Sequence, residues 1–265
     1  MSTIMQRRLH FISVVTVMLL ALCQSACRSF TGTREELTAA RIDSPIALDG
    51  HLNEIVWHKT PAYPLKHTPA QFENADPAVR KFFRGGPAEA GKIKLLWDEK
   101  YLYVGIECTD SDIVATARKD ELDHSRQGDA VTVYIKPLHK TWFWKLQAAP
   151  DGSKSSFFCP GYGLFELPGI SEKPALRQLK SAASVKGTLN NVWDRDKKWC
   201  VEMAVPRAEI GMAGEKLEPG IPWLVFVERI NYGRCLPAKE KSCFPYKTMR
   251  HSCYFDGYGL LKMKQ

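Results

Sequence analysis

Residues 92–97 and 101–108 each alternate side-chain character, and they flank the turn Asp98-Glu99-Lys100. Alternation on both sides of a polar three-residue turn is the signature of a β-hairpin, because a strand sends successive side chains to opposite faces. A second hairpin pairs 130–135 with 142–147 through the connection 137–141, and further strands are expected at 181–189, 199–205, 223–231 and 258–262. The helical signals are brief, at 52–58 and within 110–128. Several short strands separated by turns predict one all-β domain, an antiparallel β-sandwich with short helical turns, over residues 42–265. The hydrophobic fraction of 45% is enough to fill such a core without a metal or cofactor. Lys145 and Gln147 are expected on one face of their strand, with Trp142, Trp144 and Leu146 on the other; Trp144 reads as packing, as do Trp57, Trp97, Trp199 and Trp223.

The first 27 residues stand apart. Arg7 and Arg8 precede an apolar run of about a dozen residues, well short of the ~20 that span a bilayer. With Ser25 and Ala26 after it, this layout reads as a secretory signal peptide. Gln24-Ser25-Ala26 before Cys27 suits a lipoprotein signal peptidase, which makes Cys27 the expected lipidation site; ordinary cleavage after Ser25 or Ala26 is the alternative. Residues 28–41 read as a tether, and the expected location is the bacterial cell envelope, anchored to a membrane and facing the periplasm or the cell surface.

Removal of residues 1–27 lowers the net charge from +8 to +6, and the basic residues are scattered among acids without the stripe a nucleic acid requires. Six of the cysteines, at 108, 159, 200, 235, 243 and 253, lie beyond that segment, an even number that suggests disulfides in an exported protein. Three fall between 235 and 253, predicting a stapled loop. No cysteine or histidine spacing is that of a zinc site. The motifs of serine hydrolases, P-loop enzymes, zinc proteases and dinucleotide enzymes are missing. No reaction class is indicated.

Six ordered segments are more specific. Ile46-Ala47-Leu48-Asp49-Gly50 followed by Glu54 and Trp57 resembles the opening I-x-x-D-G-x-x-x-E-x-x-W of family 9 carbohydrate-binding modules. Leu96-Trp97-Asp98 with Leu102-Tyr103 is similar to their W-D-x-x-x-L-Y hairpin. Asp110 and Asp112 followed by Asp129-Ala130-Val131 resemble an acidic loop entering the D-x-V-E strand. Trp199 to Pro206, Trp223 to Arg229 and Tyr258 to Leu261 resemble the remaining three strand signatures.

The resemblance implies non-catalytic binding of a polysaccharide or oligosaccharide, with a glycan as partner, no cofactor, and any part in carbohydrate breakdown that of an accessory module. In such modules two aromatic faces clamp a pyranose while polar side chains bond its hydroxyls. Here Arg126 stands where one clamping Trp is found, and Thr132 where the strand carries its carboxylate. The second aromatic falls near His251. The residues the resemblance nominates for glycan contact are therefore Arg126, Thr132, Lys145, Gln147, Arg229, Asn231, His251 and Tyr254, with Tyr232 and Phe255 as further aromatic platforms. Asp129 is expected to bond backbone N–H groups. Some family members carry calcium, for which Asp110 and Asp112 would be weak candidates. The altered clamp leaves an alternative open, a degenerate module that serves protein–protein contact or envelope structure; a glycoside hydrolase is a third reading.

Overall fold

The computed structural model describes residues 34–67, 69–72, 74–161, 176–212, 214–246 and 254–265. In chain order the strands are β1 (Glu36–Arg41), β2 (Tyr63–Pro64), β3 (Lys66–His67), β4 (Gly91–Trp97), β5 (Tyr101–Thr109), β6 (Ala130–Pro137) and β7 (Phe143–Ala148). They continue as β8 (Lys154–Cys159), β9 (Lys180–Lys186), β10 (Lys198–Pro206), β11 (Trp223–Asn231), β12 (Glu240–Phe244) and β13 (Gly259–Lys264). Two short helices, α1 (Ile55–Lys59) and α2 (Pro77–Phe82), lie in the long connection between β1 and β4.

The strands form one hydrogen-bonded path, β8-β7-β6-β11-β13-β1-β4-β5-β10-β9, with β12 on β11 and β2 on β4. The path folds over as a sandwich. Val131, Val133, Ile135, Trp144 and Leu146 from one half meet Leu95, Val104, Ile106, Trp199, Val201 and Met203 from the other in a single core. Each set alternates along its strand, as the sequence predicts. Trp57, Trp97, Trp144, Trp199 and Trp223 are all buried, and each indole that also needs a hydrogen-bond acceptor finds one: Trp144 Nε1 donates to the Ile210 carbonyl (2.7 Å) and Trp199 Nε1 to Asp110 (3.1 Å).

The 92–108 hairpin forms because Asp98 organises its turn. Its Oδ1 accepts from the N–H groups of Lys100 and Tyr101, both at 2.7 Å, and its Oδ2 accepts from the Tyr103 hydroxyl at 2.7 Å. A second motif cluster closes around Glu202. Its Oε1 accepts from Trp57 Nε1 (2.9 Å), and its Oε2 accepts from the N–H groups of Asp49 (3.1 Å) and Gly50 (3.0 Å). Gly50 has φ +80°, and a Cβ there would lie 2.3 Å from the Ala183 carbonyl carbon, so this position requires glycine.

Three expectations change. Residues 36–41, read as tether, form β1, which pairs in parallel with both β13 and β4; the sheet is therefore mixed and not wholly antiparallel. Only Leu37 and Ala39 of that segment are core residues, so its pattern was too short to read, and backbone bonds to neighbours on both sides hold it. Strands β8 and β12 were likewise unread.

The third concerns the cysteines: among the described residues no disulfide is formed. In the β5–β10 ladder Cys108 lies opposite Trp199 and Cys200 opposite Glu107, which sends the two thiols to opposite faces of the sheet. Cys253, Cys27 and the proposed signal peptide lie outside the described residues, as does most of the segment between Cys243 and Cys253.

Candidate functional site

Strands β6, β7, β8 and β11 turn one face to the main core and a second, largely covered face to a smaller buried cluster that includes Tyr134, Leu224 and Phe226. On that second face, the register sets Glu228, Thr132, Gln147 and Ser155 side by side across four strands. Two residues further along, Phe226, Tyr134, Lys145 and Phe157 make the next row. Alternation thus places Lys145 and Gln147 together, away from Trp144 and Leu146, as the sequence predicts.

The polar end of this face is tied together by Asp123. Its Oδ1 accepts from Gln147 Nε2 (3.0 Å) and pairs with Lys145 Nζ (3.3 Å), while its Oδ2 pairs with Arg126 Nε (3.2 Å). Burial works against the charged carboxylate, yet donors from Ser125, Lys145 and Gln147 hold Asp123 below the usual range. Lys145 also lies over the Phe157 ring, 5.3 Å from its centroid. Across the ladder Glu228 is raised by burial, against the pull of Lys241 at 3.6 Å. Tyr232 borders the patch, its hydroxyl donating to the Ser125 carbonyl (2.8 Å) while Lys239 lies over its ring.

The nominated residues separate by exposure. Arg126 is 78% exposed at its side chain and Lys145 is 16% exposed; Tyr254 is open to solvent. Thr132 and Gln147 are buried, Gln147 Nε2 reaching both Asp123 Oδ1 at 3.0 Å and Thr132 Oγ1 at 3.3 Å. Arg229 and Asn231 are buried as well, away from any rim. Arg229 donates to the carbonyls of Glu89 (2.9 Å) and Thr109 (2.8 Å) and to Asp110 Oδ2 (3.0 Å). Asn231 donates to Glu89 Oε2 at 2.6 Å. These two fasten β11 to the ends of β4 and β5, and strand-end position alone gave no sign of that depth. His251 lies outside the described residues.

Asp129 takes the structural role expected of it: its oxygens accept from the N–H groups of Val114 and Tyr232, both at 2.7 Å. The calcium candidates do not fit a cation. Asp110 is paired with Arg229, and Asp112 with Arg234 at 2.5 Å, so a metal would face two guanidinium groups. Among the described residues no group of three or more His, Cys, Asp or Glu is arranged to hold a metal.

A separate cleft of about 540 Å³ opens at the far end of β6, between Arg34, Lys136, Lys140, Leu224, Tyr254 and Phe255. Tyr254 is therefore divided from the Asp123–Lys145 patch. Sequence reasoning missed Asp123, Glu228, Phe157, Arg34 and Lys136. Alternation alone could have placed Glu228 beside Thr132, but only with the strand pairing known.

No family model matches the sequence, and no curated protein matches it significantly. Solved structures do match the fold. A candidate carbohydrate-binding protein from Bacteroides uniformis aligns over 88% of this chain and 100% of its own, with 11% identity and a TM-score of 0.61. A family 9 carbohydrate-binding module from Caldicellulosiruptor kristjanssonii, solved with cellotriose, aligns over 87% of this chain and 94% of its own, with 12% identity and a TM-score of 0.54. The same organism's family 9 module solved with glucose gives 12% identity and a TM-score of 0.53, over 87% and 96% of the two chains.

Proposed function

We propose that this chain, which has the fold of the family 9 carbohydrate-binding modules, is a non-catalytic glycan-binding protein, exported and held at a membrane by a lipid on Cys27. The observation that carries the reading is the position of Glu228 directly across the ladder from Thr132. The carboxylate that Thr132 lacks is supplied from the neighbouring strand, on the same face as Lys145. A carboxylate, an ammonium and a half-buried aspartate around Phe157 and Tyr232 offer acceptors, donors and aromatic surface, which are the groups a pyranose requires.

Support for carbohydrate as the ligand comes from the solved modules of this fold, which hold cellotriose and glucose. Support for export comes from the basic start, short apolar run and small residues before Cys27. Titration of the purified protein with cellotriose, glucose and a panel of neutral and acidic polysaccharides tests the binding. Saturable binding that weakens in Glu228→Gln and Lys145→Met is expected. A blank panel, with a stoichiometric envelope protein recovered instead, overturns the reading in favour of a protein-binding module. Metabolic labelling with a fatty acid, lost in Cys27→Ser, tests the anchor.

A further inference from the structure

The cleft at the end of β6 holds a charge that has no counter-charge among the described residues. Lys136 is 1% exposed, and its Nζ donates to the carbonyls of Pro137 (2.9 Å) and Leu138 (3.2 Å) and lies 4.5 Å from the centroid of Phe255. Among the described residues no carboxylate pairs with it. Neutral carbonyls and a ring face only partly replace the water an ammonium loses on burial. Burial, and then the Arg34 charge, lower the Lys136 pKa to about 8.

The other charged groups around the cleft have acidic partners of their own, so none of those carboxylates is given to Lys136. Arg34 donates to the carbonyls of Phe255 (2.8 Å) and Tyr258 (2.9 Å) and is 3.9 Å from the exposed carboxylate of Asp256. Lys140 stands at the mouth, paired with Glu215 at 3.0 Å. Leu224, Phe255 and the exposed ring of Tyr254 supply apolar wall. An ordinary core position would carry a methionine or leucine where Lys136 stands.

From this uncompensated ammonium in an open, aromatic-walled cleft, we propose that the cleft is a subsite for a carboxylate-bearing pyranose, so that the glycan bound by this chain is a uronic-acid polymer. The carboxylate would complete the charge pair with Lys136, and the ring's C–H face would rest on Tyr254. The site is separate from the Asp123–Lys145 patch and rests on the glycan-binding reading given above.

The test is calorimetry on the purified full chain with trigalacturonate, cellotriose and triglutamate, in the wild type and in Lys136→Met and Tyr254→Ala. Trigalacturonate is expected to bind about tenfold or more tighter than cellotriose, the scale of one charge-assisted hydrogen bond. Lys136→Met is expected to erase that preference while raising the melting temperature, because it removes a buried charge and strands no buried counter-charge, the cost of freeing two carbonyls at the cleft being smaller. Tyr254→Ala, on an exposed residue, is expected to weaken trigalacturonate with folding unchanged. Equal binding of both sugars, unaltered in both variants, overturns the subsite and leaves the glycan reading intact. Triglutamate binding as well as trigalacturonate reduces the cleft to a nonspecific anion site and also overturns it. No binding of trigalacturonate overturns the subsite, while the glycan reading itself stands or falls with the wider panel given above. If Lys136→Met does not fold, the Tyr254→Ala result decides.

Discussion

Arg229 Nη2 lies 3.0 Å from Asp110 Oδ2, and both side chains are sealed from solvent. Burial opposes ionisation of both groups, but a guanidinium cannot give up its proton, so Asp110 is its nearer neutralising partner, with Glu89 Oε2 at 3.8 Å. Removing one member of such a pair costs about 3–5 kcal/mol, since the survivor remains buried and charged. Asp110→Ala is expected to destabilise the protein by that amount, read as a fall in the urea midpoint. A loss below about 1 kcal/mol would show that water or Glu89 takes over the charge of Arg229.

Glu202 gives stability a pH dependence of definite sign. Burial raises its pKa to about 7, against the pull of its donors Trp57, Gly50 and Asp49. The folded state therefore holds a proton that the unfolded chain, with an ordinary carboxyl near 4.5, has released. Between about pH 4.5 and 7 the unfolded state binds fewer protons, so this group's contribution falls as pH rises through that window and is constant above it. Chemical denaturation at pH 5, 6, 7 and 8 should show the decline. In Glu202→Gln this slope should be flattened, although overall stability is reduced by the lost acceptor.

Gly50 is held at φ +80° with the Ala183 backbone 2.3 Å from where a Cβ would sit. Gly50→Ala is expected to cost about 1–3 kcal/mol from the backbone conformation alone, and more from the clash. Thermal melts of the variant check this. A neutral result would mean that the turn can move away from β9.

At the polar patch, Lys145→Met should lower affinity for the bound glycan by about tenfold while changing stability by under about 1 kcal/mol, because its partner Asp123 keeps the Gln147 and Arg126 interactions. Calorimetry and melts on the same samples separate the two effects. Unchanged affinity would remove Lys145 from the site.

Thiol reactivity follows burial. Desolvation pushes the Cys108 thiol up to about 12 and the Cys200 thiol up to about 11, whereas Cys235 is exposed. A thiolate-selective reagent should modify Cys235 in the native protein and reach Cys108 and Cys200 only on unfolding. Mass spectrometry of the labelled peptides identifies the order. Rapid native labelling of Cys108 would contradict the packing described.

The sequence by itself determined the scaffold. Asp98, Asp49-Gly50, Trp57, Glu202, Asp129 and Arg229 stood out as motif residues, and every one proved to be a fastener that closes a turn or bonds one segment of the fold to another. Such residues are legible because a turn or a buried bond demands one residue type at one place, and alternation marks which strand faces enclose the core. The tertiary structure alone decided the site. Whether Arg229 and Asn231 line a rim or lie buried, and whether Glu228 can stand in for a carboxylate absent at Thr132, depends on which strands are neighbours and in what register. That β1 joins the sheet also depends on its neighbours, because two apolar residues are too few to announce a strand. The lone charge of Lys136 is likewise invisible in a list of residues, since a counter-charge is a matter of distance.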